Sequence, residues 1–590
     1  MDKGNYDIKM LTKLMFRLLP VQILIAAVGA VNGIVSSYFA TNYVGVDAMS
    51  AVGLYTPFTL LLNFVSTVLF GGSVLLCGKY MGQNQGGKLS KCFSINIVIT
   101  VLISLIFTAA FVIMSVFDLT GAFTQDETVR ALFNSYLLGQ AIGVLPLFLG
   151  NQLPAFLSLD NKSGRTIIAS IVYIVVNLIL NVVFIKILKM EAFGLALSSA
   201  LGLWVYLAVQ TQYFFTRKSS FKFKMTGLEW KEGLAIIKVG YPGALNYIYQ
   251  TVRGFIVNAL LLGFVGTVAI SAFSTANNFL ALFWAIPTGM LAVYRMIISV
   301  AIGEEDRRTL SDAVKTVLSK YIPLLCAVCL IIVVLAEPIT GIFYKDPTHE
   351  VYMMTVWGIR ILPWCMPLAL IANQFMCYWQ ATERQIVMHI IAIVDGFICV
   401  SAVTALLVGI IGMNSIYIAN VVNGVVVILM VIVHGFIINK KMTFKIEEQL
   451  CIPKGFGAGD DDRMDITIRS MDEVISISKK VQDFCENKGI DPRRSMLAGL
   501  AMEEMAGNIV DHGFNKDNKK HSVDVKVVRK DGDIVLRLRD DCRPFDPKER
   551  EKMADSSDPA KNIGIKMVFK ISKKVEYQSL LGLNVLTIRI

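Results

Sequence analysis

The sequence predicts an all-α membrane protein of twelve transmembrane helices in two parallel six-helix repeats, followed by a cytoplasmic α/β-sandwich domain. Three observations predict this architecture: the composition changes near residue 442, twelve long apolar runs precede that point, and one block of sequence recurs 221 positions later. Residues 1–220 and 221–442 are then two lobes, 443–462 a linker and 463–590 the cytoplasmic domain.

The charged residues are distributed unevenly along the chain. Residues 443–590 hold 27 of the 56 Lys and Arg residues and 26 of the 45 Asp and Glu residues. The remaining three quarters of the chain have the composition of a membrane protein. The basic excess lies in that part, where loop topology explains it better than nucleic-acid binding does. We therefore expect a lipid bilayer as partner and no nucleic acid.

Two copies of one sequence block mark the two lobes. The block at 44–91 returns at 265–312 without a gap, so that Gly45 matches Gly266 and Gly82 matches Gly303. A constant offset over this length indicates an internal duplication, which is common in transporter folds.

The apolar runs are long enough to cross the ~30 Å hydrocarbon core. The predicted spans lie near 14–42, 51–78, 93–117, 132–157, 166–188, 193–216, 241–263, 268–300, 320–343, 351–380, 385–408 and 414–438. Alternate loops are rich in Lys and Arg, which places both termini in the cytoplasm. Six spans per repeat give both halves the same orientation, with a central cleft between two lobes.

The last part of the chain reads as a soluble domain. The sequence predicts a strand at the start, helices over 471–488, 492–512 and 563–573, a hairpin turning at Asp531-Gly532 and a final strand pair turning near Gly582,. We expect a mixed sheet covered by helices on one face. Because the chain leaves the membrane on the cytoplasmic side, this domain would meet ATP there.

The membrane part contains the motifs VGVDAMSAVGLYTPF…GKYMG, SLDNKSGRTIIAS and NLILNVVFI. Through these motifs it resembles the multidrug and toxin extrusion (MATE) family of secondary transporters over roughly residues 14–440. The resemblance implies export of small organic compounds in exchange for H⁺ or Na⁺, in the cell membrane of a bacterium.

Two positions depart from that family's pattern. Many members carry an Asp eight residues before the glycine that matches Gly45, where this chain has Ser37. A second Asp commonly follows the Asn that matches Asn177, where this chain has Asn181. Ser and Asn can ligate an ion but cannot titrate. The position that matches Ser37 in the second repeat is Asn258, which is also neutral. The first lobe therefore lacks the coupling carboxylates that the resemblance leads us to expect.

Five ionisable residues remain inside the predicted spans. They are Arg253, Arg295, Arg360, His389 and Asp395. A charge inside the membrane is costly, so each should face a cavity or a partner. Asp395 is the candidate for ion coupling, or else it pairs structurally with Arg360 or Arg253. The arginines could also favour an anionic substrate. The predicted transport cavity contains Ser37, Asn177, Asn181, Arg253, Asn258, Arg360 and Asp395.

Three motifs follow one another in the last part of the chain. Glu504, Asn508 and His512 share one stripe of a helix, and LRLRDDCRPFDP and KNIGIKMV follow in order. In that order they resemble the boxes of the Bergerat-fold ATPases, most of all those of the anti-sigma-factor serine kinases. The resemblance implies that Asn508 holds Mg²⁺, that Glu504 orients or deprotonates the attacking hydroxyl, and that Asp540 accepts a hydrogen bond from adenine. It also implies nucleotide contacts from Phe545 and Gly564, and a structural role for His512.

The first glycine-rich box departs from the family's Asp-x-Gly-x-Gly, since it reads Asp540-Asp541-Cys542-Arg543-Pro544. Nucleotide binding can survive this change, whereas fast turnover is in doubt. Whether the domain phosphorylates a cytoplasmic protein partner, hydrolyses ATP slowly or only senses it stays open. The leading hypothesis is a transporter with an ATP-binding regulatory domain. The alternatives are a membrane-anchored serine/threonine kinase with a sensory membrane part, and an ATP-driven pump, which the absence of a Walker motif disfavours.

Overall fold

The computed structural model describes residues 8–590 apart from 40–42, 45–50, 125, 217–218, 226, 345, 515–519, 531, 544–545 and 548–562. Within these residues, eleven helical segments are long and apolar enough to cross a membrane. They coincide with eleven of the twelve predicted spans. The remaining predicted span, 241–263, lies within a 35-residue helix, Trp230–Phe264, which also carries Lys238 and Arg253.

The first repeat forms the N-lobe. Its helices are α1 (Lys9–Phe39), α2 (Thr56–Gly82), α3 (Gly86–Val116), α4 (Glu127–Leu159), α5 (Ser163–Asn181) and α6 (Glu191–Thr211). Asp126 begins α4 as an N-cap, because its carboxylate accepts hydrogen bonds from the backbone N–H groups of Thr128 and Val129,. A π-helical turn, Val182–Ile187, continues α5. Helices α3, α4 and α6 pack side by side and place the small polar side chains described below inside the lobe.

The second repeat forms the C-lobe. Its helices are α7 (Trp230–Phe264), α8 (Thr267–Phe283), α9 (Ala285–Gly303), α10 (Arg307–Thr316), α11 (Ile322–Val334), α12 (Ala336–Phe343), α13 (Glu350–Ile361), α14 (Cys365–Ala381), α15 (Gln385–Ile393), α16 (Cys399–Ile411) and α17 (Asn414–Asn439). Short π or 3₁₀ turns lie inside three of these spans. They are Val317–Tyr321, Leu362–Trp364 and Val394–Ile398. Such turns free backbone groups within a span, and they are frequent at functional sites.

The two lobes meet at equivalent positions of the repeat near the cytoplasmic ends of α2 and α9. A Cβ on either Gly82 or Gly303 would lie 3.0 Å from the Cα of the other. Only glycine permits so close an approach of two helices, as small residues do elsewhere in membrane proteins. Helix α7 also packs along α2, and α1 along α9. The lobes are therefore closed against each other at this end of the two helices.

The cytoplasmic domain is a five-stranded sheet with helices on one face. After a short helix α18 (Ile446–Gln449), its elements are β1 (Arg463–Ile468), α19 (Met471–Asn487), α20 (Pro492–Gly513), β2 (Val523–Lys530), β3 (Asp533–Asp540), α21 (Ile563–Ile571), β4 (Lys574–Leu580) and β5 (Leu583–Arg589). Alternate apolar residues of β1, β2 and β3 form a buried core with the three long helices,. The predicted helices and both hairpins are confirmed.

The expectation of a mixed sheet was wrong, because every described strand pair is antiparallel in the order β1-β2-β3-β5-β4. Two helices separate β1 from β2 and return the chain to the end where β1 stopped. Strands β3 and β4 run in the same direction, as a single-helix crossover requires. Strand β5 then pairs between them and is antiparallel to both.

The predicted linker is packed against the C-lobe. Leu450 and Cys451 are buried, and the backbone carbonyl of Leu450 accepts a hydrogen bond from Trp379 Nε1 at 3.2 Å. Arg384 donates a hydrogen bond to the carbonyl oxygen of Cys451. The sequence predicted a charged, Gly-bearing linker over 443–462, and its apolar residues fix the start of the C-terminal domain to the membrane part.

Candidate functional site

A pocket opens where α20 passes over the ends of β3 and β5. Its walls include Asn508 and His512 from α20, Asp540 at the end of β3, and Tyr577 and Asn584 from the last two strands. An N-cap sets the start of α20, since the Asp491 carboxylate accepts from two backbone N–H groups of the first turn,. The structure thus brings together two of the predicted nucleotide contacts, Asn508 and Asp540.

Asp540 is a buried hydrogen-bond acceptor at the bottom of this pocket. Its Oδ1 accepts from the backbone N–H of Cys542 at 3.0 Å and from Asn584 Nδ2 at 2.7 Å. Burial raises the pKa of the Asp540 carboxyl above its ordinary value, although these hydrogen bonds oppose the shift,. A carboxylate held in this way fits the amino group of a purine base, as the sequence predicts.

The structure also brings Glu504, Asn508 and Gly564 together. Glu504 lies one turn before Asn508 on α20. Asn508 Nδ2 donates to Glu504 Oε1 at 3.0 Å, which directs the amide oxygen of Asn508 away from the glutamate. A Cβ on Gly564 would overlap the Glu504 carboxylate, so a larger residue at this position would displace that side chain. The amide and carboxylate oxygens are hard donors of the kind that Mg²⁺ prefers. The described residues therefore fit Mg²⁺ as well as a purine.

Phe545 and His512 are the two remaining residues that the sequence analysis placed in this part of the chain. Phe545 lies outside the described residues, as does most of the segment that follows it. His512 was expected to be structural, yet it contributes to the wall of the pocket. Its Nδ1 lies 3.3 Å from Asp511 Oδ2, and its side chain is half exposed.

Sequence reasoning missed the support that surrounds Asp540. Asn584 holds Asp540 and in turn accepts a hydrogen bond from the Tyr577 hydroxyl at 2.9 Å. An Asn inside the apolar strand LNVLTI was the available signal. His521, Asp541 and Cys542 each place one candidate metal-ligand atom within 4.8 Å of the others.

Within the N-lobe, the predicted polar residues form a buried cluster. Asn181 Nδ2 donates to the carbonyl oxygen of Asn177 at 2.8 Å, and Ser198 Oγ donates to Asn181 Oδ1 at 2.9 Å. The side chain of Ser37 is outside the described residues, although its backbone belongs to α1. Asn258 lies on an exposed face of α7. The structure therefore joins Asn177 with Asn181 and separates Asn258 from them.

In the C-lobe, Asp395 lies in the π-helical turn between α15 and α16. Its Oδ1 accepts from Asn423 Nδ2 at 2.8 Å, and Arg253 is near enough to interact with it electrostatically. The expected alternative pairing with Arg360 was wrong, because Arg360 Nη2 lies 2.7 Å from Glu337 Oε1 on α12. Arg360 lies in the last turn of α13, and Glu337 lies in the first turn of the neighbouring α12.

A second polar cluster in the N-lobe was not predicted. Asn96 Nδ2 donates to Gln152 Oε1 at 2.6 Å, and Gln152 Nε2 donates to Thr100 Oγ1 at 3.2 Å. All three side chains are fully buried. Polar residues inside two apolar runs were the signal for this cluster, and the hydrogen bonds explain how they are accommodated.

Comparison with protein families assigns both parts of the chain. The MatE family model matches residues 23–183 and 242–407, which together are more than half of the chain. A model described as a histidine kinase-like ATPase domain matches residues 470–590. The first match has two segments, one in each lobe.

Curated relatives resemble the membrane part. A probable multidrug resistance protein NorM from Bacillus licheniformis is 23% identical over 296 residues, covering 47% of this chain and 63% of the relative. The protein of the same name from Bacillus subtilis is 24% identical over 241 residues, covering 38% of this chain and 52% of the relative. The chain thus spans less than two thirds of the length of these relatives.

Solved structures show the same fold. An outward-facing multidrug resistance MATE family transporter of the MOP superfamily is 16% identical, with a TM-score of 0.66, covering 72% of this chain and 96% of the other. A MOP superfamily transporter from Pyrococcus furiosus is also 16% identical, with a TM-score of 0.65 and coverages of 72% and 97%.

Proposed function

Because this chain belongs to the MatE family of membrane transporters and carries a histidine kinase-like ATPase domain, we propose that it exchanges small organic compounds for H⁺ or Na⁺ under the control of ATP bound to that domain. The observation that carries the regulatory half is the pocket in which Asn508 and Asp540 lie together. The family match and the relatives named for multidrug resistance support the transport half.

Different residues of the site would hold different parts of MgATP. Asp540 would accept from the adenine amino group, and the Asn508 amide oxygen would help to hold Mg²⁺, which would offset the negative charge of the phosphates. Glu504 lies next to Asn508 and would orient or deprotonate an attacking hydroxyl if phosphate is transferred. Gly564 begins the last helix beside Glu504, where backbone N–H groups can approach phosphate oxygens.

On the transport side, Asp395 is the proposed coupling residue. It is an acid near mid-span, held by Asn423 and close to Arg253. Buried acids of this kind serve as ion or proton sites in transporters. The Asn177–Asn181 cluster supplies polar ligands in the N-lobe without a group that titrates.

The decisive experiment for the regulatory half is thermal unfolding of the full-length protein with and without MgATP. We expect MgATP to raise the melting temperature, and Asn508→Ala to abolish that rise. Asn487→Ala is the matched control, since Asn487 is exposed at the end of α19, away from the pocket. No ATP-dependent shift in the natural protein would refute nucleotide binding.

Transport and kinase activity are separated by two further measurements. Substrate flux in proteoliposomes under an imposed H⁺ or Na⁺ gradient is the result expected of a transporter. Transfer of radiolabel from ATP to a co-purified protein, lost with Glu504→Ala, together with no flux, would instead favour a kinase whose membrane part is a sensor.

A further inference from the structure

The two copies of one loop differ in charge although their backbones match. Glu304, Glu305 and Asp306, called here the acidic loop, occupy the repeat positions of the neutral residues 83–85 (Gln-Asn-Gln). Asn84 and Glu305, at the middle of each loop, have φ values of 53° and 55°. The turn has thus been kept in both lobes, and only the C-lobe copy has acquired three carboxylates.

The acidic loop meets a basic row on the cytoplasmic sheet. The face of the sheet opposite its helices carries Asp465, Lys526, Arg537 and Arg539, called here the docking face. Lys526 and Arg539 both pair with Asp306, the latter at 3.3 Å. Arg539 also pairs with Glu304, and Arg537 Nη1 lies 3.6 Å from the same carboxylate. At the edge of the contact, Arg308 Nη1 lies 2.8 Å from Asp465 Oδ2.

These charges are buried by the contact. The side chains of Glu304 and Asp306 are 1% and 6% exposed, and that of Lys526 is 6% exposed. Burying charges is costly unless they are paired, so this arrangement requires both surfaces to be present. A polar cavity of about 340 Å³ beneath the sheet is lined by both the neutral loop 83–85 and the acidic loop. The sheet is therefore anchored to the C-lobe.

A separate set of contacts joins the same domain to the N-lobe. Lys13 Nζ of α1 lies 2.5 Å from Asp541 Oδ2. Arg17 Nη2 donates to the carbonyl oxygen of Leu581 at 2.7 Å, and the Leu581 N–H donates to the carbonyl oxygen of Leu159 at 3.1 Å. The cytoplasmic domain thus bridges the two lobes on the side where Gly82 and Gly303 hold them together.

The N-lobe contact adjoins the nucleotide pocket. Asp541 directly follows Asp540, and the next residue, Cys542, forms part of the pocket wall. The pocket in this state encloses about 40 Å³, whereas small-molecule pockets enclose roughly 300–1,000 Å³. We expect a nucleotide to widen the pocket, and the segment that carries Asp541 is one of its walls.

We propose that the cytoplasmic domain is a nucleotide-controlled clamp, anchored through its docking face on the acidic loop, which releases the N-lobe when a nucleotide enters the pocket. Opening of the cleft towards the cytoplasm requires the lobes to separate on this side, and a domain attached to both opposes that movement. This inference rests on the proposed binding of ATP. Because linkage is reciprocal, loss of the N-lobe contact must tighten nucleotide binding.

Two measurements on the full-length protein test the clamp. Lys13→Ala should lower the Kd for MgATP by roughly two- to fivefold, the effect of one partly exposed ion pair. Lys480→Ala is the matched control, since this exposed lysine lies on α19, on the opposite side of the sheet. By hydrogen exchange, MgATP should speed exchange of the Leu581 amide several-fold and leave residues 304–309 protected.

The outcomes separate this inference from the proposed function. If MgATP binds, but neither the Lys13→Ala affinity nor the exchange of Leu581 changes, the clamp is overturned while nucleotide binding stands. If MgATP speeds exchange at 304–309 as much as at Leu581, the domain detaches as a whole and the C-lobe anchor is overturned. Absence of MgATP binding to the natural protein would overturn both.

Discussion

At the scale of single residues, the nucleotide pocket depends on polar groups that are buried and held by hydrogen bonds. Asp540 is 5% exposed and Asn584, which holds it, is equally buried. A buried carboxylate lowers the stability of the fold when it ionises, so its presence needs another explanation. Recognition of a purine amino group supplies one.

The variant Asp540→Asn separates the effect of this carboxylate on the stability of the fold from its effect on nucleotide binding. Because burial raises the pKa of Asp540, the folded state holds that proton more tightly than the unfolded state does. The stabilising effect is complete below about pH 4 and is lost as the pH rises through the raised pKa. At pH 7.5 the variant should therefore melt no lower than the natural protein, and their difference should shrink on acidification.

The same substitution should weaken MgATP binding by roughly tenfold or more, since a charge-assisted hydrogen bond is lost. Titration of binding by calorimetry checks this. A variant that is less stable at pH 7.5, yet binds MgATP normally, would show that Asp540 is structural.

Gly564 is the second residue whose identity the pocket fixes. A Cβ there would overlap the Glu504 carboxylate, so Gly564→Ala should displace Glu504 from Asn508 and lose affinity for MgATP. Because the displaced group is the end of a flexible side chain, the free energy of unfolding should change little.

Gly507→Ala on α20 is the control for Gly564→Ala. Its Cβ would meet just the Met471 sulfur, at 4.0 Å, and alanine in a helix interior is favoured by roughly 0.5–1 kcal/mol. Denaturant unfolding and MgATP binding measure both variants. Equal stability and equal affinity for MgATP in Gly564→Ala and Gly507→Ala would refute the tight contact at Gly564.

At the scale of helices and strands, local patterns predicted most of the structure. The long apolar runs became helices, and both hairpins formed where Gly532 and Gly582 take positive φ,. Strand direction was not predictable in the same way, because insertion of β5 between β3 and β4 depends on pairing across the sheet. The packing of the linker on α14 and α17 was not predicted, because its charged residues outnumber the few apolar residues that make the contact.

The π-helical turn around Asp395 gives an element-scale prediction. Asp395→Asn keeps the size of the side chain and an oxygen that can accept from Asn423, so the fold should be retained. Ion-driven substrate flux in proteoliposomes should fall at least roughly tenfold, because an amide cannot take up and release a proton at working pH.

Glu337→Gln is the matched control for Asp395→Asn. Glu337 pairs with Arg360, and its side chain is 61% exposed, so its loss should leave flux nearly unchanged. Unaltered flux with Asp395→Asn would remove Asp395 from coupling and turn attention to the polar clusters of the N-lobe.

At the scale of the whole molecule, the duplication and its divergence have different consequences. The constant offset predicted two lobes, and the paired glycines Gly82 and Gly303 show that equivalent positions also meet. The docking of the cytoplasmic domain was not predicted, because Lys526, Arg537 and Arg539 alternate along their strands as a solvated face does. Their acidic partners lie more than 200 positions away, in a loop whose repeat copy is neutral.

Making the acidic loop a copy of its neutral repeat tests this docking. The triple variant Glu304→Gln, Glu305→Asn, Asp306→Gln keeps the backbone turn but removes the acidic-loop carboxylates that pair with Lys526 and Arg539. Losing one member of a buried ion pair costs about 3–5 kcal/mol. We expect the domain to detach and residues 443–462 to be cut faster by trypsin, while Gln83→Ala, Gln85→Ala in the other loop has little effect.

The pH dependence of this docking has a definite sign. Burial works to raise the pKa of Asp306, but Lys526 and Thr309 outweigh it and hold the pKa below its usual range. Stability from a depressed pKa is complete above the unfolded value, about pH 4, and is lost as the pH falls below it. Docking in the natural protein should therefore be constant between pH 6 and 8.

If the triple variant resists trypsin as the natural protein does, the ion cluster does not hold the domain. Recovery of protection on exchanging the charges, Asp306→Lys with Lys526→Asp, would show that this pair does.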